Sequence, residues 1–460
     1  MWEPAARLPY RKGTRGAASL PRGNPRRGFP TAKRRRAQWR RGFRVTRLTA
    51  TMKIPTFLLT LALSLHAFAA EPFIEKLDLF TVGEDPAYQI YHIPGIVVTA
   101  KGSVLAWCEA RKRSAGVSDW DDIRILLRRS TDEGKTWSAP KSIADVPGSK
   151  TKNPISLLMK NVDPNDVTYN NPVLIADRDG TVHMLFCLEY MRAFYQRSTD
   201  DGMTWTTPVE ITSAFEKFKS TYDWKVLATG PDHGIQLKNG RLVVPVWLST
   251  GTGGNAHRPS VTGTIFSDDA GRTWRASEIA VPNTEEWINP NEAVALELAD
   301  GSVMLNVRSE SKAHRRLVTV SKDGATGWST PRFDDALLEP ICMASIIRYS
   351  LASDGGKNRI LFSNPDNLSR AKGAEEPGKT RDRKNLSVKL SYDEGQTWAV
   401  NKPIEPGPSM YSDLAVTKSG TILCFYGASG ASTGAGYFAG GRLTLARFNL
   451  EWLTDGKDAR

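Results

Sequence analysis

The sequence predicts an all-β fold, a six-bladed β-propeller, and two observations support this prediction. The first is an eight-residue sequence motif, Ser-Thr-Asp-Glu-Gly-Lys-Thr-Trp at residues 130–137. It recurs with small changes at 198–205, 267–274 and 391–398. A more divergent copy, Ser-Lys-Asp-Gly-Ala-Thr-Gly-Trp, lies at 321–328. The first serines of successive copies are 68, 69, 54 and 70 residues apart. Such a period is typical of a repeat architecture with one supersecondary unit per repeat.

The repeated phrase predicts a tight hairpin turn. Its Asp and Gly provide a side-chain cap and a positive φ, and the Thr-Trp that follows suits the start of the next strand. The run Leu-Ser-Val-Lys-Leu at 386–390, just before one copy, alternates with the period of two of a half-buried strand. We therefore interpret the Ser and Asp of the phrase as turn caps, rather than as catalytic groups or calcium ligands.

The second observation is a series of further hairpin signals between the copies. Asp-Gly, Asn-Gly or Ser-Gly pairs stand between hydrophobic runs at 179–180, 239–240, 300–301 and 419–420. No long helical pattern occurs downstream of residue 75. Several antiparallel strands in each period of about 65 residues predict propeller blades, and the region from about 75 to 455 holds about six periods. Radial closure of the blades would protect the sheet edges.

The basic charge of the chain is concentrated in front of the repeats. The formal net charge is +13, but residues 1–70 hold 16 of the 62 Lys and Arg and one of the 49 Asp and Glu. This leaves 46 basic and 48 acidic residues, a net charge of about −2 for the rest of the chain. A nucleic-acid partner inferred from overall basicity would depend on the front segment alone, so we expect none.

The front segment also contains a predicted export signal. Residues 52–69 combine a charged start at Met52-Lys53, a short apolar run and an Ala-x-Ala end, as a secretory signal peptide does. The apolar run is too short to span a membrane, and no cysteine follows for a lipid anchor. We expect a secreted or periplasmic monomer whose propeller occupies residues 70–460. Residues 1–51 are interpreted as a gene-start misassignment, with a disordered basic arm or an organelle-targeting extension as alternatives.

The four cysteines do not suggest a metal site. They lie in apolar, strand-like runs of different periods, and no pair has the spacing of zinc ligands: Cys108, Cys187, Cys342 and Cys424. We predict buried free thiols, although export would permit disulfides. No cofactor and no metal are expected.

Acidic, basic and aromatic residues cluster in segments beside the predicted strands. In a propeller the loops of one face converge on the central axis, so distant segments can form a single pocket. The candidate segments are Glu109-Ala-Arg111, Ser118-Asp119-Trp120, Asn291-Glu292 with Arg308 across one hairpin, Arg383 at a strand start, and Tyr411-Ser-Asp413 before the last hairpin.

Together these motifs resemble the sialidase (neuraminidase) family of exo-glycosidases, of the bacterial and animal kind. The resemblance extends over nearly all of residues 75–450. It depends on the repeated turn, known there as the Asp-box, on the five segments above, and on Leu-Phe-Ser-Asn-Pro at 361–365 before Arg383. It implies a six-bladed propeller that releases terminal sialic acids with retention of configuration.

The resemblance also implies roles for individual residues. Tyr411 would be the nucleophile, Glu292 its base and Asp119 the acid/base. Three arginines would bind substrate: Arg308 and Arg383 at the sugar carboxylate, and Arg111 as a further substrate-side cation. A neutral tyrosine suits an anomeric carbon that bears a carboxylate, because an anionic nucleophile would be repelled. Guanidinium groups match a carboxylate bidentately. Asp119 must be protonated to act as an acid, so we expect burial to raise its pKa.

The chain departs from the family pattern at two linked positions. Where the family has Arg-Ile-Pro, this sequence has His92-Ile93-Pro94, and where the family has a Glu after the last-blade tyrosine, it has Gly427. Loss of both avoids a buried carboxylate without a cation. A neutral His92 could fill space or bind a substrate hydroxyl, a charged His92 could meet a carboxylate below about pH 6.5, or His92 could be structural.

These departures leave three hypotheses. The first is a secreted retaining exo-glycosidase that acts on terminal sialic acid in a sialoglycoconjugate. The second is a non-catalytic propeller that binds acidic glycans. The third is a glycosidase for a different acidic sugar, such as another ulosonic acid, that uses the same tyrosine chemistry.

Overall fold

The computed structural model describes residues 70–112, 118–160, 162–369, 383–429 and 441–459. The predicted extension at 1–51 and the predicted signal peptide at 52–69 therefore lie outside the described residues. All described residues belong to one compact unit, Ala67–Arg460.

The described chain is built almost entirely from β-strands. The strands of its first half are β1 (Ile74–Thr81), β2 (Ile90–Val98), β3 (Val104–Arg111), β4 (Ile123–Ser130), β5 (Lys141–Ser142), β6 (Tyr169–Ala176), β7 (Val182–Leu188), β8 (Arg192–Ser198), β9 (Val209–Glu210), β10 (Val226–Thr229), β11 (Asp232–His233), β12 (Ile235–Gln236) and β13 (Leu242–Ser249). Those of its second half are β14 (Ser260–Ser267), β15 (Arg275–Val281), β16 (Ala293–Glu297), β17 (Val303–Val307), β18 (Arg315–Ser321), β19 (Arg332–Leu338), β20 (Ser345–Ser350), β21 (Arg359–Pro365), β22 (Lys384–Ser391), β23 (Val400–Val416), β24 (Ile422–Ser429) and β25 (Gly441–Phe448).

Helical segments are few and short in the described residues. Three are 3₁₀ turns, Ser156–Leu158, Thr212–Ser220 and Ala352–Asp354, and one is a single-turn α-helix, α1 (Leu450–Leu453). The all-β prediction is thus confirmed.

The strands form successive antiparallel sheets in a propeller-like arrangement. The first sheet has the order β2-β3-β4-β5, the second β6-β7-β8-β9 with β11 parallel to β6, the third β10-β13-β14-β15 with β12 beside β13, and the fourth β16-β17-β18-β19. The last sheet has seven strands, in the order β1-β25-β24-β23-β22-β21-β20. In it the first described strand pairs with the last, since Ile74 faces Phe448.

Hydrophobic clusters lie between consecutive sheets. Leu105 and Leu174 belong to the cluster between the first and second sheets. Val104 and Leu423 belong to another, between the first sheet and the seven-stranded one. Because each sheet has a neighbour on both faces, β3 is buried at every position rather than at alternate ones. The four cysteines are buried and free, which confirms that prediction.

The repeated phrase forms the predicted turn. In the first copy Ser130 Oγ accepts a hydrogen bond from Gly134 N at 2.9 Å, and Asp132 Oδ1 accepts one from Thr136 N at 2.9 Å. The other three complete copies repeat both bonds at nearly the same lengths, through Ser198 and Asp200, Ser267 and Asp269, and Ser391 and Asp393. The interpretation of these residues as turn caps is confirmed.

The strand register shows that the Asp-box turns and the candidate site lie at opposite ends of the hairpins. Within the hairpin of β3 and β4, Val104 faces Ser130 at one end and Arg111 faces Ile123 at the other. In the fourth sheet Val303 faces Ser321 at the turn end, and Val307 faces Leu317 at the opposite end. The Asp-box turns therefore lie at one end of these hairpins, and Arg111, Glu292 and Arg308 lie at the opposite end.

Candidate active site

Tyr411 and Glu292 are in direct contact although 119 residues separate them. Tyr411 lies on β23, and Glu292 directly precedes β16. The phenol of Tyr411 donates a hydrogen bond to Glu292 Oε1 at 2.7 Å. Both residues are buried. A hydroxyl with a carboxylate in hydrogen-bonding reach is the arrangement of a nucleophile and its base.

Arg308 faces both of these groups from the other side of one hairpin. Its backbone N–H donates to Glu292 O at 2.9 Å, which continues the ladder of β16 and β17 by one residue. Its guanidinium forms an ion pair with Glu292 and donates to Tyr411 Oη at 2.6 Å. The sequence predicted this hairpin pairing from the spacing of the two residues.

Arg383 and His92 complete the surroundings of the Tyr411 ring. The guanidinium carbon of Arg383 lies 5.5 Å from the ring centroid, and that of Arg308 lies 6.0 Å from it. Arg383 also donates to the carbonyl of Ile341. The imidazole of His92 is 4.6 Å from the ring, centroid to centroid. Two cations thus approach the tyrosine, as a site for an anionic sugar requires.

The environment keeps Tyr411 a neutral phenol. Burial raises its pKa well above the ordinary value, and Glu292 raises it further, while Arg308 and Arg383 act in the opposite direction. The phenol can therefore gain nucleophilic character only as its proton passes to a base, and Glu292 is in place to receive it.

His92 is also held neutral. Burial lowers the pKa of His92 well below 6.5, and Arg111, Arg383 and Arg308 lower it further, against the smaller opposite effect of Asp119. The charged interpretation of His92 is therefore disfavoured, because a buried imidazolium among three guanidiniums is unstable. His92 faces Glu109 across β2 and β3.

Arg111 lies at the end of β3 between two carboxylates. Its Nη2 donates to Glu109 Oε2 at 2.6 Å and its Nη1 to Asp119 Oδ1 at 2.8 Å. The Arg111 side chain is only 2 % exposed. Its guanidinium therefore fixes Asp119 directly, and its predicted contact with substrate stays a prediction.

The predicted direction of the Asp119 pKa is wrong. Burial would raise this pKa, as expected from the sequence, but the cation of Arg111 outweighs burial, and His257 adds to its effect. The net result is a pKa below the ordinary range. The reason is geometric, because a guanidinium at hydrogen-bonding distance stabilises the charged form more than partial desolvation disfavours it. The side chain of Asp119 is 47 % exposed.

Asp119 opens on a cavity of about 390 Å³. Trp120, Met159 and His257 contribute to its walls, together with Arg111 and the loop at 254–258. The volume falls within the range of small-ligand sites.

Three partners of the site were not predicted from the sequence. Glu109 neutralises Arg111, His257 approaches Asp119, and His233 donates or accepts a hydrogen bond with Asp413 Oδ1 at 2.7 Å. Glu109 and Asp413 belong to sequence segments that were identified as candidates. The sequence did not show which side chains they would contact. His257 carried no signal, because it lies in a polar loop with no motif.

Gly427 lies in close contact with Met410. A Cβ at this position would lie 3.2 Å from Cβ and 3.3 Å from Cε of Met410, tighter than ordinary contacts. Residue 427 pairs with Leu443 inside the last sheet. The surroundings of this position are thus apolar, and a side chain here would require Met410 to shift.

Neither a metal site nor a membrane helix is evident in the described part of the chain. No group of three or more His, Cys, Asp or Glu side chains there could hold a metal ion. No helix there has the length and apolar character needed to cross a bilayer.

Comparison with known proteins supports the family assignment. The family model described as "BNR repeat-like domain" matches residues 121–424. A sialidase of Micromonospora viridifaciens is 29% identical over 413 residues, which cover 83% of this chain and 55% of that protein. A sialidase of Bacteroides fragilis is 30% identical over 371 residues, which cover 74% of this chain and 60% of that protein.

Among solved structures, the Hadza microbial sialidase Hz136 superimposes with a TM-score of 0.64 at 26% identity, over 82% of this chain and 69% of that one. The chain spans between half and two thirds of the length of the two curated relatives. With the repeat-bearing domain matched over most of its length, the chain belongs to the BNR repeat-like family.

Proposed function

We propose that this protein is a secreted, retaining exo-glycosidase that hydrolyses terminal sialic acid from sialoglycoconjugates. The observation that carries the proposal is the buried contact of Tyr411, Glu292 and Arg308, three side chains from distant parts of the chain. Burying a carboxylate and a guanidinium is energetically costly, and the packing of a propeller core does not require it. The cluster of these groups around a phenol therefore favours a functional role. The similarity of the chain to sialidases supports this reaction type.

In the first chemical step the Tyr411 oxygen attacks the anomeric carbon, and its proton passes to Glu292. The bond between that carbon and the leaving oxygen breaks, and Asp119 gives its proton to this oxygen. The products are a tyrosyl-linked sugar, a protonated Glu292 and an ionised Asp119. A neutral nucleophile avoids repulsion by the sugar carboxylate, as expected for sialidases among the glycosidases.

In the second step water replaces the tyrosine at the anomeric carbon. Asp119 accepts a proton from the water, the bond to Tyr411 breaks, and Glu292 returns its proton to the phenol. Two displacements at one carbon give net retention. Arg308 and Arg383 approach the Tyr411 ring, where they can hold the sugar carboxylate through bidentate hydrogen bonds.

We also propose that the propeller has six blades. Strand β23 is 17 residues long, and its first half pairs with β22 while its second half pairs with β24. The seven-stranded sheet then divides into two four-stranded blades that share this strand. A hydrophobic cluster that joins Leu361 and Val388 of one half to Leu414 and Ala446 of the other supports the division.

Export through the signal peptide at residues 52–69 is part of the proposal. The buried thiols are compatible with it, because free cysteines enclosed in a core are inert whatever the redox state outside.

A second candidate is favoured by one observation. His92 is neutral and stands where the family has an arginine, and Met410 fills the space beside Gly427. The loss of one cation from the carboxylate-binding cluster favours a related acidic sugar, such as another ulosonic acid, as the preferred substrate. The non-catalytic alternative is not favoured, because the phenol of Tyr411 is in hydrogen-bonding contact with its base, Glu292.

The proposal is tested by following hydrolysis of an α-sialoside with the purified protein by proton NMR. Retention predicts that the α-anomer of the free sugar appears first and then mutarotates. Early appearance of the β-anomer would exclude the double displacement. Parallel reactions on glycosides of other ulosonic acids rank the two candidate substrates, and the higher kcat/KM identifies the preferred sugar.

A further inference from the structure

The two oxygens of Asp119 have different partners. Oδ1 accepts a hydrogen bond from Arg111 at 2.8 Å, whereas Oδ2 lies 3.8 Å from Nδ1 of His257. Arg111 carries a permanent charge, so the Oδ1 side stabilises the ionised carboxylate. A general acid must nevertheless be protonated when substrate is bound. The Oδ2 side, which faces a titratable imidazole, is where that proton can be held.

His257 is held in place by aromatic rings. Its ring centroid is 4.9 Å from that of Tyr190, 5.2 Å from Trp247 and 5.7 Å from Trp120. The backbone N–H of His257 donates to Asn255 Oδ1 at 3.0 Å, which fixes the loop. The side chain is 25 % exposed and lines the cavity beside Asp119. The imidazole is thus fixed in position and still open to the substrate space.

The tautomer of His257 is free to change. Its Nε2 is buried and has no hydrogen-bond partner in the described part of the chain. Nothing there requires Nε2 to keep a proton, so Nδ1 can act as donor or as acceptor toward Asp119. The separation of 3.8 Å exceeds a hydrogen bond, but such contacts often tighten only when substrate is bound.

We propose that His257 is a positioning residue for the acid/base: it shares one proton with Asp119 between Nδ1 and Oδ2 and returns it to the carboxyl group when the leaving oxygen arrives. This inference rests on the proposed function. In its active form the pair carries one proton, as imidazolium with carboxylate or as imidazole with carboxylic acid. The carboxylic acid form gives the proton to the leaving oxygen, and water restores it to Asp119 in the second step.

Several charged groups act on the pKa of His257, and among them Asp119 raises it most. Burial lowers the pKa of His257, Asp119 and Glu292 raise it, and Arg258 and Arg308 lower it, with a net decrease from 6.5. The neighbouring Tyr190 has a pKa raised well above its ordinary value and stays neutral. The last proton leaves the pair at its upper macroscopic pKa, whereas Asp119 alone would lose it at lower pH.

The test compares two sialosides whose leaving groups differ in their need for an acid. An alkyl sialoside requires protonation of its leaving oxygen, whereas a sialoside of an acidic phenol does not. His257→Phe keeps the ring packing and removes both nitrogens. We expect kcat on the alkyl sialoside to fall about tenfold or more, and kcat on the aryl sialoside to change less than about twofold. The alkaline limb of the alkyl profile should move to lower pH by about one unit.

Met159→Leu is the matched control, because Met159 lines the same cavity and has no titratable group. This substitution should change kcat by the same factor on both sialosides. Equal losses on both sialosides in His257→Phe, or no loss on the alkyl sialoside, would overturn the inference while leaving the proposed function intact.

A second measurement does not need turnover. Asp119→Asn should move the NMR titration of His257 to lower pH, since Asp119 is the group that most raises the His257 pKa. An unchanged titration would overturn the inference. A wild-type protein inactive on both sialosides, yet with coupled titrations, would instead contradict the proposed function.

Discussion

The Asp-box end and the site end of the blades differ in the sequence separation of their hydrogen-bond partners. At the Asp-box end the capping Ser and Asp side chains accept hydrogen bonds inside their own turn, as where Asp200 accepts hydrogen bonds from Thr204 four residues away. At the site end the partners of the predicted nucleophile and of His233 are far apart in sequence. Tyr411 reaches Glu292 over 119 residues, and His233 reaches Asp413 over 180.

This difference explains what each end contributes. A turn whose capping hydrogen bonds are all local can be repeated at the ends of several hairpins. A site made of remote partners exists only once the blades are arranged around an axis, because no blade contains the set. The comparison predicts that changes at the site end mainly affect activity, and that changes at the Asp-box end mainly affect stability.

The largest expected effect is at Tyr411. Tyr411→Phe removes the oxygen that attacks the sugar and keeps the ring, so we expect kcat on an α-sialoside to fall roughly 10³-fold or more. The midpoint of thermal unfolding should change little. Tyr426→Phe is the matched control, because Tyr426 is also buried and donates to a carboxylate, Glu405, at 3.2 Å. Similar losses of activity in the two variants would contradict the assignment.

The next effect is at the Asp-box end, in the third complete turn. Gly271 has φ +79°, and a Cβ there would clash with the Tyr195 hydroxyl, which is bonded to His183 at 2.8 Å. Gly271→Ala should lower the free energy of unfolding by about 2–4 kcal/mol. Gly301→Ala, at φ +88° with open space around it, should cost only about 1 kcal/mol. Equal costs, measured by urea unfolding, would show that backbone conformation alone sets the penalty.

A smaller effect is expected for a single turn cap. Asp200→Ala removes the acceptor of the Thr204 N–H bond, at 2.8 Å, and should cost about 1–2 kcal/mol while kcat is unchanged. Hydrogen bonds from Thr204 lower the pKa of Asp200 to about 2. The stability that this carboxylate contributes is present above its unfolded pKa, so the difference between wild type and variant should shrink as pH falls from about 4 toward 2. A constant difference over that range would contradict the role of the charged form.

The smallest effect concerns His92. The pKa of His92 in the folded protein lies well below 6.5. The unfolded chain therefore binds the proton more readily than the folded protein does. As a result, the free energy of unfolding of the wild type decreases as pH falls below about 6.5. His92→Gln should remove up to about 1.4 kcal/mol of that loss for each pH unit. The measurement is the difference in unfolding free energy between the two proteins from pH 7 to 5. A difference that does not vary with pH would mean that His92 titrates normally.

The two ends also differed in how far the sequence could predict them. The Asp-box turns were predictable because each contains its own hydrogen bonds, and the pairing of Glu292 with Arg308 because one hairpin links them. The contact between His257 and Asp119 was not, since it depends on how separate blades meet. The pKa of Asp119 was predicted in the wrong direction because burial can be inferred from composition, whereas the cation of Arg111 is located only by the fold.

The central claim is that Tyr411 forms a covalent bond with the sugar, and the most direct measurement is to trap that species. Incubation of the purified protein with 2,3-difluorosialic acid, followed by peptide mass spectrometry, should place one sugar adduct on Tyr411 and none on the Tyr411→Phe variant. An adduct on another residue, such as Glu292, would contradict the account.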